Sequence, residues 1–102
     1  MSAMWIGWLS MDLRLGDVHS LKQKRSVVRP IVAELARKLS VSAAETGHLD
    51  LYRRAEVGVG VVASTQAHAT EVLEAAERLV AERPEVELVE ARPRVLRADD
   101  LD

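Results

Sequence analysis

The chain has 102 residues, of which 48% are hydrophobic and 29% charged, a composition typical of one globular domain. It contains no cysteine, which excludes disulfides, thiolate catalysis and cysteine-ligated metal centres. No apolar run approaches the roughly 20 residues of a membrane span, and the N-terminus lacks a signal-peptide pattern, so we expect a cytoplasmic protein with no membrane partner. The absence of Asn, with only two Gln, favours a thermophilic origin, and the alternative explanation for the excess of Arg over Lys is a GC-rich genome.

The net charge of −2 conceals an uneven distribution along the chain. Residues 14–54 carry nine Lys and Arg against four Asp and Glu, a balance of +5. Residues 55–102 carry five against eleven, a balance of −6, and Asp12 supplies the remaining negative charge. Such a division is typical of a protein whose basic half meets a polyanion.

The first predicted element is a strand over residues 4–15, in which apolar residues alternate with others. One face of this strand is made mostly of leucine and methionine, which predicts burial. The opposite face carries Ile6 and Trp8. Gly16 and Asp17 then predict a turn.

A basic amphipathic helix follows over residues 21–39. Ser20 is a suitable N-cap, and Gln23 stands three residues later, as in a capping box. Pro30 interrupts the helical pattern because it has no N–H to donate to the preceding turn. We therefore expect a kink at Pro30.

The second half of the chain predicts two strands, a helix and a last strand. The strands span 41–45 and 55–63, the helix runs from about 65 to 82, and the last strand spans 86–96. Pro93 lies within the last strand and cannot donate a ladder hydrogen bond, so we expect that strand at a sheet edge.

The order βαββαβ predicts an α+β ferredoxin-like sandwich, a four-stranded antiparallel sheet with two helices on one face. We expect one domain over residues 1–98 and a short acidic tail over 99–102. The first and third strands are neighbours at the centre of such a sheet. Trp8 should then lie on the helix-free face and cover Gly58 or Gly60.

The opening of the first helix carries cations and no acid, against the preference of the helix dipole by a few tenths to about 1 kcal/mol per charge. At 100° per residue, Lys22, Arg25 and Arg29 lie within a wedge of about 60°. Lys24 falls on the other flank of the apolar stripe, where we expect its long side chain to reach solvent. The functional interpretation is phosphate-backbone contact by all four cations, most plausibly with RNA. The alternative is a solvated face whose charges pair with Asp17, Glu34 or an acidic strand.

A second basic cluster follows the second strand. Tyr52 is adjacent to Arg53 and Arg54, and an aromatic ring beside guanidinium groups suits base stacking and phosphate contact. The alternative, which the sequence favours, is that Tyr52 covers the end of the core and the arginines solvate a loop. Proximity of this loop to the first helix would favour a shared nucleic-acid site.

The helix-free sheet face is the third candidate. Ile6, Trp8 and Val62 form an apolar patch there, and such patches mark protein interfaces. Homodimerisation through this face is the alternative function to RNA binding. The structural alternative is a tryptophan packed over glycines in a monomer, and a small-ligand regulatory domain is a third possibility without a distinctive motif.

The sequence offers no catalytic, metal or cofactor site. Its three histidines lack close ligand spacing. Gly58 and Gly60 lie inside a predicted strand, so they do not form a phosphate-binding loop before a helix. We therefore expect a protein that is not an enzyme.

Three motifs give the chain a family resemblance over nearly its whole length. They are Ser20-Leu21-Lys22-Gln23-Lys24-Arg25, Val41-Ser42-Ala43-Ala44-Glu45 and Asp50-Leu51-Tyr52-Arg53-Arg54-Ala55. The chain resembles the YlxP-like family of small bacterial proteins, whose function is unknown. The resemblance implies a ferredoxin-like fold, no established enzyme activity and, from the genes that accompany its members, an RNA or ribosome partner. The chain departs from the family at Tyr52, where Trp is usual, and at Pro30.

Overall fold

The computed structural model describes residues 3–101, and its secondary structure follows the order β-α-β-β-α-β. The elements are β1 (Trp5–Leu15), α1 (Leu21–Leu39), β2 (Ser42–Gly47), β3 (Arg54–Ala63), α2 (Gln66–Ala81) and β4 (Val86–Arg97), followed by a 3₁₀ turn at Ala98–Leu101. Every predicted strand and helix is present, with bounds that differ by at most two residues and, for α1, not at all. Met1, Ser2 and Asp102, which the predicted domain and tail include, lie outside the described residues.

The four strands form one antiparallel sheet in the order β2-β3-β1-β4. The predicted ferredoxin-like α+β fold is therefore confirmed, with β1 and β3 at its centre. β4 is an edge strand, as Pro93 predicts, and Pro93 lies opposite Leu9 of β1. A register shift between β1 and β4 occurs at Asp12 and Leu13.

The core lies between one sheet face and the two helices. Alternate residues of β1, from Leu9 to Leu15, are buried on this face. The helices contribute the buried residues Val28, Ile31 and Leu35 of α1 and Ala69, Leu73, Ala76 and Val80 of α2. Each buried leucine contributes about 1.5–3 kcal/mol relative to an exposed one. The helical spacing of apolar residues predicts that Leu21 is also buried, but its side chain is 37% exposed.

Pro30 lies inside α1 without ending it, and the helix continues from Leu21 to Leu39. The missing N–H leaves the carbonyl of Ser26 without its helical donor. Both residues are exposed, so water can reach that carbonyl. Pro30 therefore does not break the helix.

Within residues 3–101, no helix is long and apolar enough to cross a membrane.

Candidate functional site

The N-terminus of α1 is capped as the sequence predicts. The hydroxyl of Ser20 accepts a hydrogen bond from the backbone N–H of Gln23 at 3.1 Å. The side-chain oxygen of Gln23 accepts in turn from the N–H of His19 at 2.7 Å, one residue before the cap. The first turn contains no acidic residue. The positive end of the helix dipole is therefore reinforced by cations rather than neutralised.

Lys22, Arg25 and Arg29 form an exposed ridge along α1, called the α1 ridge below. Within residues 3–101, none of these three side chains has a carboxylate within 4.0 Å. The ridge therefore keeps its full positive charge at the protein surface.

The two acids named as possible partners of the ridge are engaged elsewhere. Asp17 lies 2.6 Å from His19 Nε2. Glu34 lies 3.2 Å from Arg83 and 3.8 Å from Lys38. The structure thus disfavours the interpretation of the α1 ridge as a set of internally paired charges.

The structure corrects the prediction that the Lys24 side chain reaches solvent. Only 2% of its side chain is exposed, and its Nζ lies 2.8 Å from Glu45 Oε2 of β2. The same nitrogen donates a hydrogen bond to the carbonyl oxygen of His48 at 2.6 Å. The side chain can be buried because the carboxylate of Glu45 and the carbonyl of His48 both bind its ammonium group. Lys24 therefore does not reach solvent and is not part of the exposed ridge.

Two shallow cavities flank the α1 ridge. Both are lined by Arg25 and Arg29, and their volumes are about 340 and 490 Å³. The first also contains Glu45, whose charge is already neutralised by Lys24, and the second contains Lys22. An anion on this surface would meet two guanidinium groups from either side of the ridge.

The loop between β2 and β3 lies beside the start of α1. Arg53 Nε donates to the carbonyl of Val18 at 3.3 Å, two residues before the helix cap. The carbonyl of Arg53 also accepts from the N–H of Leu15 at 2.9 Å. Tyr52 is exposed at the same end of the molecule. Tyr52 and Arg53 therefore lie near the beginning of the α1 ridge, which is the proximity that favours a shared site.

Arg54 is positioned differently from its neighbour. It is the first residue of β3 and pairs across the sheet with Arg14 of β1. Both lie in the alternating set that faces away from the helices. With Arg53 they line a separate cavity at the end of the sheet. Arg54 is therefore not continuous with the α1 ridge.

The helix-free sheet face carries the predicted apolar residues. Ile6 pairs with Val62, and Trp8 pairs with Gly60. Trp8 is 39% exposed and Val62 is 66% exposed. Trp8 therefore lies beside Gly60 on the helix-free face, as expected, but its ring does not cover that glycine, because a Cβ built on Gly60 would have no atom within 4 Å. A Cβ built on Gly58 would meet Thr46 of β2. A cavity of about 380 Å³ lies beside Trp8 instead.

Sequence reasoning missed one cation of the helix. Arg37 is exposed and, within the described part of the chain, has no carboxylate within 4.0 Å. Its angular position is about 60° from that of Lys22 and about 120° from that of Arg25, so it lies outside the wedge that selected the ridge. Arg14 was missed as well, because only strand pairing brings it beside Arg54.

Comparison with known proteins identifies a family and supplies no activity. The chain is 29% identical to the "Uncharacterized protein YlxP" of Bacillus subtilis (strain 168) over 82 residues, which cover 80% of this chain and 89% of that protein. A family model described as "Protein of unknown function (DUF503)" matches residues 6–93. The chain therefore belongs to this family of proteins of unknown function.

Proposed function

We propose that this protein is a non-enzymatic, cytoplasmic RNA-binding protein that contacts RNA, or a ribonucleoprotein such as the ribosome, through the α1 ridge. One observation carries the proposal. Lys22, Arg25 and Arg29 are exposed on one side of α1 and, within residues 3–101, have no carboxylate within 4.0 Å. An unpaired row of cations at the positive end of a helix favours a polyanion.

The proposed binding mode is neutralisation of the phosphate backbone. The guanidinium groups of Arg25 and Arg29 present forked donors that match phosphate oxygens, and Lys22 adds a point charge. With a rise of about 1.5 Å per residue, Lys22 and Arg29 are about 10 Å apart along the helix axis. The ridge is thus long enough for more than one phosphate, and Tyr52 and Arg53 extend it at the N-terminal end of α1.

The test is a salt series of binding to a structured RNA hairpin and to purified ribosomal subunits. Each phosphate contact contributes about 0.7 to 0.9 to the slope of log affinity against log salt. The double variant Arg25→Ala, Arg29→Ala should therefore lose about 1.4 to 1.8 of the wild-type slope. Both side chains are exposed, so the free energy of unfolding should change by no more than about 0.5 kcal/mol.

The matched control is Arg78→Ala, Arg94→Ala, which removes the same charge from exposed positions on α2 and β4. Its slope should remain that of the wild type. Equal weakening in the two double variants would show a response to net charge alone and would reject the α1 ridge as the site. Wild-type affinity and slope in Arg25→Ala, Arg29→Ala would reject it as well.

The second candidate function is self-association through the helix-free sheet face. It is favoured by the exposure of Trp8 and Val62 on neighbouring strands. Under this hypothesis Trp8→Glu converts a dimer to a monomer in sedimentation experiments, whereas Leu49→Glu, at an exposed apolar loop position, leaves the dimer intact. A wild-type protein that is monomeric at the highest concentration measured would reject self-association.

A further inference from the structure

A cavity of about 500 Å³ lies at the end of the sheet where β1 ends and β3 begins. Its lining residues are Arg14, Leu15, Gly16, Asp17, Arg53 and Arg54. Three of these six residues carry guanidinium groups. Asp17 is the one acid among them, and its carboxylate lies against His19 with 93% of the side chain exposed. The cavity is therefore strongly cationic.

Two of these arginines oppose each other directly. Arg14 and Arg54 are partners in the β1–β3 register, and like charges at such positions destabilise a sheet. Arg14 is compensated by Glu87 of β4, whose Oε1 lies 2.9 Å from Nη1. Within residues 3–101, Arg54 has no carboxylate within 4.0 Å. The uncompensated charge of the pair therefore belongs to Arg54.

Arg54 also contains an unsatisfied buried donor. Its Nε is buried and has no hydrogen-bond acceptor among the described residues. A buried donor without a partner costs about 1–3 kcal/mol, and more for a charged group, so such groups in native proteins require an explanation. The orphan donor and the opposed charges are separate observations on Arg54, and an anion in the cavity would offset the opposed charges without reaching the enclosed Nε.

Arg53 is oriented towards the same place by the backbone. Its Nε is held by the carbonyl of Val18 at 3.3 Å, which fixes the guanidinium beside the turn at Gly16 and Asp17. Its terminal amino groups have no hydrogen-bond partner among residues 3–101. The cavity thus contains three guanidinium groups in different states. That of Arg53 is held by a backbone carbonyl, that of Arg54 has no carboxylate near it within residues 3–101, and that of Arg14 is paired with Glu87 at the surface.

We propose that this cavity binds a phosphate group, either free phosphate or the terminal phosphate monoester of a larger ligand such as RNA. Guanidinium groups bind phosphate oxygens through paired, charge-assisted hydrogen bonds. A doubly charged anion between Arg14 and Arg54 removes the repulsion across the strands. This proposal rests on the cavity residues alone, so it does not depend on RNA binding by the α1 ridge.

The test is calorimetric titration of the protein with inorganic phosphate at constant ionic strength, set by chloride. Wild-type protein should bind one phosphate. Arg54→Gln and Arg14→Gln should each weaken that binding at least tenfold. Arg94→Gln, an exposed arginine on the same sheet face outside the cavity, should bind as the wild type does. Absence of phosphate binding by the wild type, or equal binding by Arg54→Gln, would overturn the proposal, as would equal weakening in Arg94→Gln.

A stability measurement guards against a folding defect in the variants. In phosphate-free buffer Arg54→Met should unfold at a temperature equal to or above that of the wild type, because it removes both the opposed charge and the orphan donor. Added phosphate should raise the melting temperature of the wild type and not that of Arg54→Met. The same rise in both proteins would be a general salt effect and would contradict a site.

Two oligonucleotides distinguish the sources of phosphate. They are the same short RNA with a 5′-phosphate and with a 5′-hydroxyl, tested in the Arg25→Ala, Arg29→Ala background to remove the α1 ridge. Tighter binding of the phosphorylated RNA, abolished by Arg54→Gln, assigns the cavity to an RNA end. Equal weak binding of both RNAs, with retained binding of inorganic phosphate, assigns it to a small anion. If the α1 ridge does not bind RNA, the phosphate titration and the comparison of the two RNAs still test the cavity.

Discussion

The buried Lys24 of α1 and the partly exposed Glu45 of β2 form an ion pair, with 2.8 Å between Nζ and Oε2. The same ammonium group holds the carbonyl of His48, so one side chain joins the helix, the edge strand and the loop that follows it. The ion pair lies beneath the α1 ridge and supports its position, while the ridge itself remains available to a ligand.

This relationship predicts different effects for two lysines of the same helix. Lys24→Ala should lower the free energy of unfolding by about 1–3 kcal/mol, because it leaves the His48 carbonyl and the partly exposed Glu45 carboxylate without their partner. Lys22→Ala, at an exposed position two residues earlier, should change it by no more than about 0.5 kcal/mol. Urea denaturation of both variants measures the difference. A loss below about 1 kcal/mol for Lys24→Ala would contradict a structural role for the pair.

Two glycines of β3 should respond in opposite ways to alanine. A Cβ at Gly58 would lie 2.8 Å from Thr46 Cγ2 of β2, whereas a Cβ at Gly60 would meet no atom within 4 Å. Gly58→Ala should therefore destabilise the protein by about 1–3 kcal/mol. Gly60→Ala should be neutral or stabilise it by up to about 1 kcal/mol, since glycine weakens a strand. Thermal unfolding of the two variants measures the difference. If Gly60→Ala destabilised the protein as much as Gly58→Ala, the packing described here would be contradicted.

Pro30 should be a local weakness of α1. Pro30→Ala restores an N–H donor for the carbonyl of Ser26, and it removes the residue type that is least favourable inside a helix. We therefore expect it to raise the free energy of unfolding by about 1–3 kcal/mol. Chemical denaturation provides the measurement, and Ala33→Gly at another exposed position of α1 serves as a comparison that should destabilise by about 1 kcal/mol. A loss of stability in Pro30→Ala would show that proline is accommodated better than its chemistry predicts.

RNA contact should extend beyond the α1 ridge to Arg37 if an RNA follows the helix to its C-terminal end and also meets the side of α1 about 60° from Lys22. Arg37→Ala should then lower the salt slope of RNA binding by about 0.7 to 0.9. The adjacent Lys38→Ala is the matched control, because Lys38 lies 3.8 Å from Glu34 and its charge is already compensated. An unchanged slope for Arg37→Ala would confine the interface to the first half of α1.

Most of the fold follows from short-range patterns in the sequence. The alternation over β1 and β3, the cap at Ser20 and the helical stripes are local in sequence, and each requires the same structure that the sheet and core require. Pro93 predicts an edge strand because a missing N–H has the same consequence wherever the strand lies. Local and global preferences agree here, which makes the order of elements sufficient to predict the topology.

The candidate site was less predictable because it depends on pairing between distant residues. The angular wedge selects Lys22, Arg25 and Arg29 correctly as exposed cations, but no helical wheel shows that Glu45 and His48 meet Lys24. Likewise, the strand pattern places Trp8 opposite a glycine and does not show that its ring leaves that glycine uncovered.

The sequence by itself determined the element order, the buried faces and the cationic character of α1, because these depend on residue periodicity and on the direction of the helix dipole. The tertiary structure alone decided which cations are free. Burial and partner distance separate Lys24 from Lys22, and strand register brings Arg14 opposite Arg54. Charge is a property of the sequence, but its compensation depends on atoms that approach within a few ångströms only after the chain has folded.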